Sequence, residues 1–386
     1  MNSKRIILSV LLVLLAVACK KPYTPPQITT VTNYLVIEGQ INTGGDSTVI
    51  RLSRTVNISS ATASSPELNA QVAIQDDQNQ SYDIHELGNG VYASAILNLD
   101  PARKYRLSIN TSDGKNYVSD FVAAKASPPI DSVGFTIQSN GMQVYVNTHD
   151  DKNATHYYRW DFVETWIFDA YYESDYYSNG DTILPRPLQQ QIYQCWANDL
   201  SDNIILGSSA KLTKDVIYQS ALTQVPSYSE KVENKYSILV KQYALTTDAY
   251  NYFTLLKKNT EQLGSIFDAQ PSQLTGNVHC TTDPKVPAIG YVTAGTVALK
   301  RVFIRREQLP FDWLRTYPYS CQIDSFMYDA GPEHSNQVAA YLVSKAYIPI
   351  AAIYSRGPNI LGYTGATYEC GDCAIRGTTV KPPFWQ

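Results

Sequence analysis

Between His156 and Ala170 the chain places Tyr158, Trp160, Phe162, Trp166 and Phe168 on even positions. Arg159, Asp161, Thr165 and Asp169 fall on odd ones, with Val163 and Ile167 among them. Successive side chains of a strand point to opposite faces, so large rings at period two demand a long strand with an aromatic face. No helix tolerates that spacing, and a face of that size needs a second layer to cover it. The segment is expected to be the core strand of a β-rich domain.

Similar but shorter signals fill the preceding hundred residues. Tyr34–Ile41 and Thr48–Ser53 are β-branched runs separated by Asn42-Thr43-Gly44-Gly45-Asp46. Val72 and Ile74, then Val91, Ala93 and Ala95, then Tyr105, Leu107 and Ile109 alternate with polar neighbours, and Asn89-Gly90 and Asp113-Gly114 are hairpin dipeptides. Leu99-Asp100-Pro101 leading to Tyr105 has the form of a tyrosine corner, in which an early-strand tyrosine bonds back to the preceding backbone. The expected class is therefore mainly β with a minor α+β part. An immunoglobulin- or fibronectin-like β-sandwich is expected over residues 30–127, followed by a larger β-rich domain over 128–386. Ser127-Pro128-Pro129 marks the boundary, because paired prolines end a strand. One helix is expected near 247–263, with Thr247 as its cap, an apolar stripe through Ala249, Tyr252, Phe253, Leu255, Leu256 and Leu263, and Gly264 closing it. Gly290–Thr293 and Val297–Arg305 are expected to form a hairpin turning at Ala294-Gly295.

The first residues concern destination rather than fold. Lys4 and Arg5 precede an apolar run from Ile6 to Val17, too short to cross a hydrocarbon core about 30 Å thick and of signal-peptide proportions. It ends Ala16-Val17-Ala18-Cys19. Small residues before a cysteine resemble the lipobox of bacterial lipoproteins, although Ala16 stands where leucine is usual. Residues 1–18 are thus expected to be a lipoprotein signal peptide, Cys19 the lipidated residue, and the proline-bearing stretch 19–29 an extended tether. The alternative is an ordinary secretory signal cleaved after Ala18.

Five further cysteines, Cys195, Cys280, Cys321, Cys370 and Cys373, are disulfide candidates in an exported chain, and their odd number leaves at least one thiol free. Cys370-Gly371-Asp372-Cys373 admits three readings: two sulfurs of structural bridges, half of a zinc site with His279 and Cys280, or a redox pair. The first is preferred, since the tail is glycine-rich and expected to be non-helical.

Function is carried by few signals. With a net charge of −4 and no basic stripe, a nucleic-acid partner is not expected. No nucleophile elbow, zincin helix, phosphate loop or dinucleotide fingerprint is present, so no catalytic residue, metal or cofactor is assigned, and a non-enzymatic role is expected. The unusual residue is tyrosine, with 29 copies. Tyr171, Tyr172, Tyr176 and Tyr177 cluster among turn formers and acids and are expected to form a loop of exposed rings for a ligand or partner.

Five pieces together resemble the Bacteroidetes lipoproteins grouped as domain of unknown function 4249. They are LVIEGQI (35–41), VIRLSRT (49–55), the run from Lys235 to Cys280, AIGYVTAGTV (288–297), and CGDC followed by GTTVKPPFW (370–385). The resemblance implies an outer-membrane lipoprotein that accompanies a TonB-dependent receptor, and carries over no catalytic residue. The function it implies is that of a lipid-anchored accessory or binding protein, facing the cell surface or the periplasm, that helps such a transporter capture or take up an unidentified ligand. The rivals are a structural or adhesive envelope lipoprotein and a hydrolase with an unrecognised site.

Overall fold

The computed structural model describes residues 33–56, 65–261, 274–317 and 319–385. The signal peptide, Cys19, the tether, Leu263 and Gly264 lie outside them. The chain is mainly β, as its alternation requires.

The first unit is not the expected sandwich. Lys104–Asn110, Gln71–Asp76, Ser81–Gly88, Val91–Ile96, Ser47–Arg54, Leu35–Asn42, Thr293–Gly295 and Val122–Lys125 pair in that order, and the last pairs back to the first, closing an eight-stranded barrel-like sheet. A closed sheet leaves no unpaired edge, which a two-layer stack of the same strands would have to protect. Its interior is filled by Leu35, Ile50, Ile74, Tyr92, Tyr105 and Leu107, all buried. The tyrosine corner is present within it: the Tyr105 hydroxyl donates to the Asp100 carbonyl at 2.8 Å.

Residues 30–127 do not make this sheet alone. Val278–Cys280 extends it beside Asn116–Ser119, while Ala288–Gly290 and Thr293–Gly295 run parallel to Leu35–Asn42. The hairpin expected across Ala294-Gly295 is therefore absent. That dipeptide is a barrel strand, and Val297–Arg305 leaves for another sheet. Gly290 permits the close approach: at φ +145°, a Cβ would lie 2.3 Å from the Ile37 carbonyl oxygen.

The second unit is built on the aromatic strand, which runs Tyr157–Asp169. It sits between Lys235–Ala244 on one side and Gln194–Leu200 with Ile205–Ser208 on the other, and Val297–Arg305 completes five strands. Against it packs a three-stranded sheet, Ile130–Gln138, Gly141–His149 and Val216–Pro226. Trp160, Phe162, Trp166 and Phe168 share one core with Met142, Val144 and Val146. The helix spans Thr247–Glu261, starting where expected, and buries Ala249, Tyr252 and Phe253. Its cap is Thr246, whose hydroxyl accepts from the Ala249 amide at 3.2 Å. Among the described residues no helix is long and apolar enough to cross a membrane.

The register gives the molecule two poles. Leu35–Asn42 runs so that Asn42 lies beside Gly295, two residues before Val297, which pairs with Tyr243 at the near end of the five-stranded sheet. The far end of that sheet is Lys235 opposite Arg305, and Asp169 opposite Gln194. Beyond it lies a cap of three short strands, Asp324–Met327, Ile360–Ala366 and Ile348–Tyr354. Leu35, where the described chain begins its first strand, is thus at the pole opposite the cap.

Candidate binding surface

The tyrosine loop and four of the five candidate disulfide cysteines lie in the cap or at the end of the five-stranded sheet that meets it. Cys195 bonds to Cys373 and Cys321 to Cys370, while Cys280 is free and buried in the first unit. The two sulfurs of the C-x-x-C therefore belong to separate bridges, one tying the C-terminal segment to the five-stranded sheet and one tying it to the 313–323 segment. The tail is locally helical, contrary to expectation: Cys370 lies in the short helix Tyr368–Gly371 and Cys373 opens a 3-10 turn. The helical turns place the sulfurs on different sides of the backbone, each facing its own partner.

The loop carrying Tyr171, Tyr172, Tyr176 and Tyr177 is pinned rather than free. Ser174 is fully buried, and its hydroxyl donates to the Pro349 carbonyl at 2.7 Å. Arg186 reaches back with Nε to the Ser174 carbonyl and Nη2 to the Tyr176 carbonyl, both at 2.9 Å. The Tyr172 amide bonds to the Cys370 carbonyl at 2.9 Å and its hydroxyl to the Cys321 carbonyl at 3.3 Å. Of the four rings only Tyr171 is exposed, at 45%, and the other three are half-buried. The expectation of four exposed rings is corrected accordingly, because cap strands and an arginine occupy the faces that a free loop would show.

Two ring clusters result. Tyr171 lies edge-on to Tyr172 and to Tyr317, each with centroids 4.7 Å apart. Tyr317 continues to Tyr319 at 5.7 Å. Tyr176 packs on Tyr363 at 5.0 Å, and its hydroxyl lies 3.4 Å from that of Tyr354. That contact, followed by burial, pushes the Tyr176 hydroxyl up to about 12. Tyr328, Tyr341 and Tyr354 stay exposed at the edge of this second cluster. Tyr177 joins neither, and its ring faces the Arg186 guanidinium at 5.9 Å.

Charges stand beneath the first cluster. The Arg315 guanidinium lies 3.7 Å from the Tyr317 centroid, and Arg376 lies 4.6 Å from Phe168 and 5.5 Å from Tyr319. Arg315 pairs with Glu233, and Arg376 with Glu230. Burial pushes the Glu233 carboxyl up to about 7, more than the attraction of Arg315 can offset, and burial also lowers Arg315. Sequence reading missed Arg315, Arg376, Tyr317 and Tyr319. The alternation Tyr317–Tyr319, in a chain with so many tyrosines, is the signal that pointed there.

Elsewhere, His149, His279 and His334 each face a surface aspartate. Among the described residues no group of three or more His, Cys, Asp or Glu is placed to hold a metal ion.

Closed β-sheet, disulfide-stapled cap and clustered tyrosine rings together define a mainly β protein. The chain belongs to the family described as domain of unknown function 4249, whose model matches residues 20–301. No curated protein matches it. Among solved structures, a crystal structure of a DUF4785 family protein from Legionella pneumophila is similar at 12% identity and a TM-score of 0.20, over 54% of this chain and 52% of that one. The chain thus spans about half the length of that protein.

Proposed function

We propose that this chain is a non-enzymatic binding protein of the cell envelope, lipid-anchored on Cys19 in the outer membrane. Its cap is the recognition surface with which it assists a TonB-dependent transporter in capturing or taking up a ligand, and it faces the cell surface. The observation that carries the reading is the pinning of the Tyr171–Tyr177 loop by Ser174 and Arg186 at the pole opposite Leu35. Rings already held in place lose little entropy on binding, which is the property of an effective contact surface. Support for export comes from the two disulfides, which persist in oxidising compartments. Support for the anchor comes from the short apolar run ending at Cys19, and an anchor on that side would direct the cap outward.

The test combines two measurements on one preparation of cells carrying an epitope-tagged chain. Protease cleavage of the tag on intact cells, with a transporter recovered by mild-detergent pulldown and lost when Tyr171 and Tyr354 are changed to Ala, is the expected result. Protection on intact cells with no transporter recovered would sink the proposal.

A further inference from the structure

Arg315 and Arg376 use their side chains in the same partial way. Arg376 donates Nη1 to Glu230, while Arg315 Nη1 donates to the Asp169 carbonyl at 2.8 Å and stands as an ion pair against Glu233 Oε2, an oxygen that is itself buried without a hydrogen-bond partner. In each, Nε and Nη2 are buried without a hydrogen-bond partner, and so is the hydroxyl of Tyr319. The side chain of Arg315 is only 4% exposed. Nε and Nη2 are the two parallel donors of one guanidinium edge, the fork that grips a planar or tetrahedral oxyanion with two bonds. Five donors and one acceptor, Glu233 Oε2, left unpaired in one cluster conflict with the rule that buried polar groups find partners, and the conflict is greatest for charged ones.

The arrangement is also ordered. Guanidinium, ring, ring and guanidinium follow one another from Arg315 through Tyr317 and Tyr319 to Arg376 at 3.7, 5.7 and 5.5 Å. The rings fix the guanidinium planes, and Tyr319 lies within electrostatic reach of both arginines. Both oxygens of Glu230 are already engaged, one by Arg376 Nη1 and the other by Trp166 Nε1 at 3.2 Å.

We infer that Arg315, Arg376 and Tyr319 form a binding site for an oxyanion, a carboxylate or sulfate-sized group gripped through the free guanidinium forks. None of the donors is open to solvent, so the cluster has to open locally to admit the group, and that favours one no larger than a carboxylate or sulfate. The site lies inside the surface proposed above for recognition and rests on that reading only for the source of the group, a free anion or one carried on a captured ligand.

The experiment needs no transporter, so its failure is separable from failure of that reading. Thermal unfolding of the full chain is followed while sulfate, and separately acetate, is titrated against chloride at matched ionic strength. A saturable rise in melting temperature beyond the chloride control is expected for the unmodified chain. Arg376→Lys keeps the charge and removes the fork, and should weaken the response about tenfold or more. Tyr319→Phe keeps the ring and tests the hydroxyl if the arginine variant does not fold. Unbroken parity between sulfate, acetate and chloride, or equal responses in all three proteins, would overturn the site and leave ordered water as the occupant of the forks.

Discussion

The indole Nε1 of Trp160 donates to the side-chain oxygen of Gln242 at 2.9 Å, and neither residue is exposed at all. The amide nitrogen of Gln242 donates in turn to the Pro128 carbonyl at 2.8 Å and to the Thr148 hydroxyl at 3.1 Å. The Gln242 carbonyl accepts from the Ser127 hydroxyl at 3.0 Å. One buried amide thus joins the aromatic strand, its neighbour, the facing sheet and the proline pair that follows the barrel.

Replacing that amide with an apolar side chain of similar length leaves the Trp160 N–H and the Pro128 carbonyl buried and unpaired. Each such orphan costs about 1–3 kcal/mol, and the network is shared, so the losses exceed those of an exposed bond. Gln242→Leu is expected to destabilise the protein by at least about 3 kcal/mol. Urea unfolding with tryptophan fluorescence measures this, and a loss below about 1 kcal/mol would show the junction is held by packing alone.

Tyr105 tests the barrel in the same way, with less at stake. Its ring is fully buried while its hydroxyl bonds to the Asp100 carbonyl. Tyr105→Phe keeps the packing and removes one bond, so about 1–2 kcal/mol should be lost without a change of fold. Circular dichroism should stay unchanged while the unfolding midpoint falls.

These two residues also show what a sequence exposes and what it hides. The tyrosine corner is legible because all its parts lie within six residues, and the strand Tyr157–Asp169 because period two leaves no other element. Ring closure is not legible: its last strand is the three-residue Thr293–Gly295, with little β-branched content, reaching back to pair with Ile41. The odd cysteine count announced a free thiol, but which one depends on a fold that puts Cys280 in the barrel and the other four where the five-stranded sheet meets the cap. The burial of Tyr172, Tyr176 and Tyr177 depends on Arg186 and the cap strands, contacts a local pattern does not record. The family match ends at residue 301, so the cap's Arg315, Tyr319 and Arg376 fall beyond it.

The bridge between Cys321 and Cys370 joins residues separated by 49 positions. Constraining a loop of that length in the unfolded chain stabilises the fold by about 4 kcal/mol in the chain-entropy account. Changing both cysteines to Ser should loosen the cap before the barrel. Hydrogen exchange should quicken in Ile348–Tyr354 and Ile360–Ala366 and stay slow in Leu35–Asn42. Cys280, buried in the barrel, should resist alkylation in the same variant until global unfolding.

Glu233 gives the cap a pH dependence of known sign. Its carboxyl rises from 4.5 when unfolded to about 7 when folded, so the native state binds more protons across that interval. Its contribution to stability is therefore complete below the unfolded value and is lost as pH climbs through about 7. The difference in melting temperature between the native chain and Glu233→Gln should change in favour of the variant from pH 4.5 to 7 and then level off. A difference that is flat across this range would mean that Arg315 keeps the carboxylate ionised throughout.

The last expectation concerns the loop itself. Arg186 holds the turn between Ser174 and Tyr176 through two carbonyls and also reaches the Ser174 hydroxyl at 3.1 Å. A lysine there supplies one point charge in place of a fixed fork, so Arg186→Lys keeps the charge and loses the geometry. Amides from Tyr171 to Ser178 should exchange faster in Arg186→Lys and faster still in Arg186→Ala, with the barrel unchanged and global stability lowered by only about 1–2 kcal/mol. If the cap acts through rings fixed in advance, partner recovery in the pulldown should fall in the same order, because the ordering cost moves from folding to binding. Faster exchange with undiminished recovery would show that the tyrosines are spectators and that recognition belongs to another face.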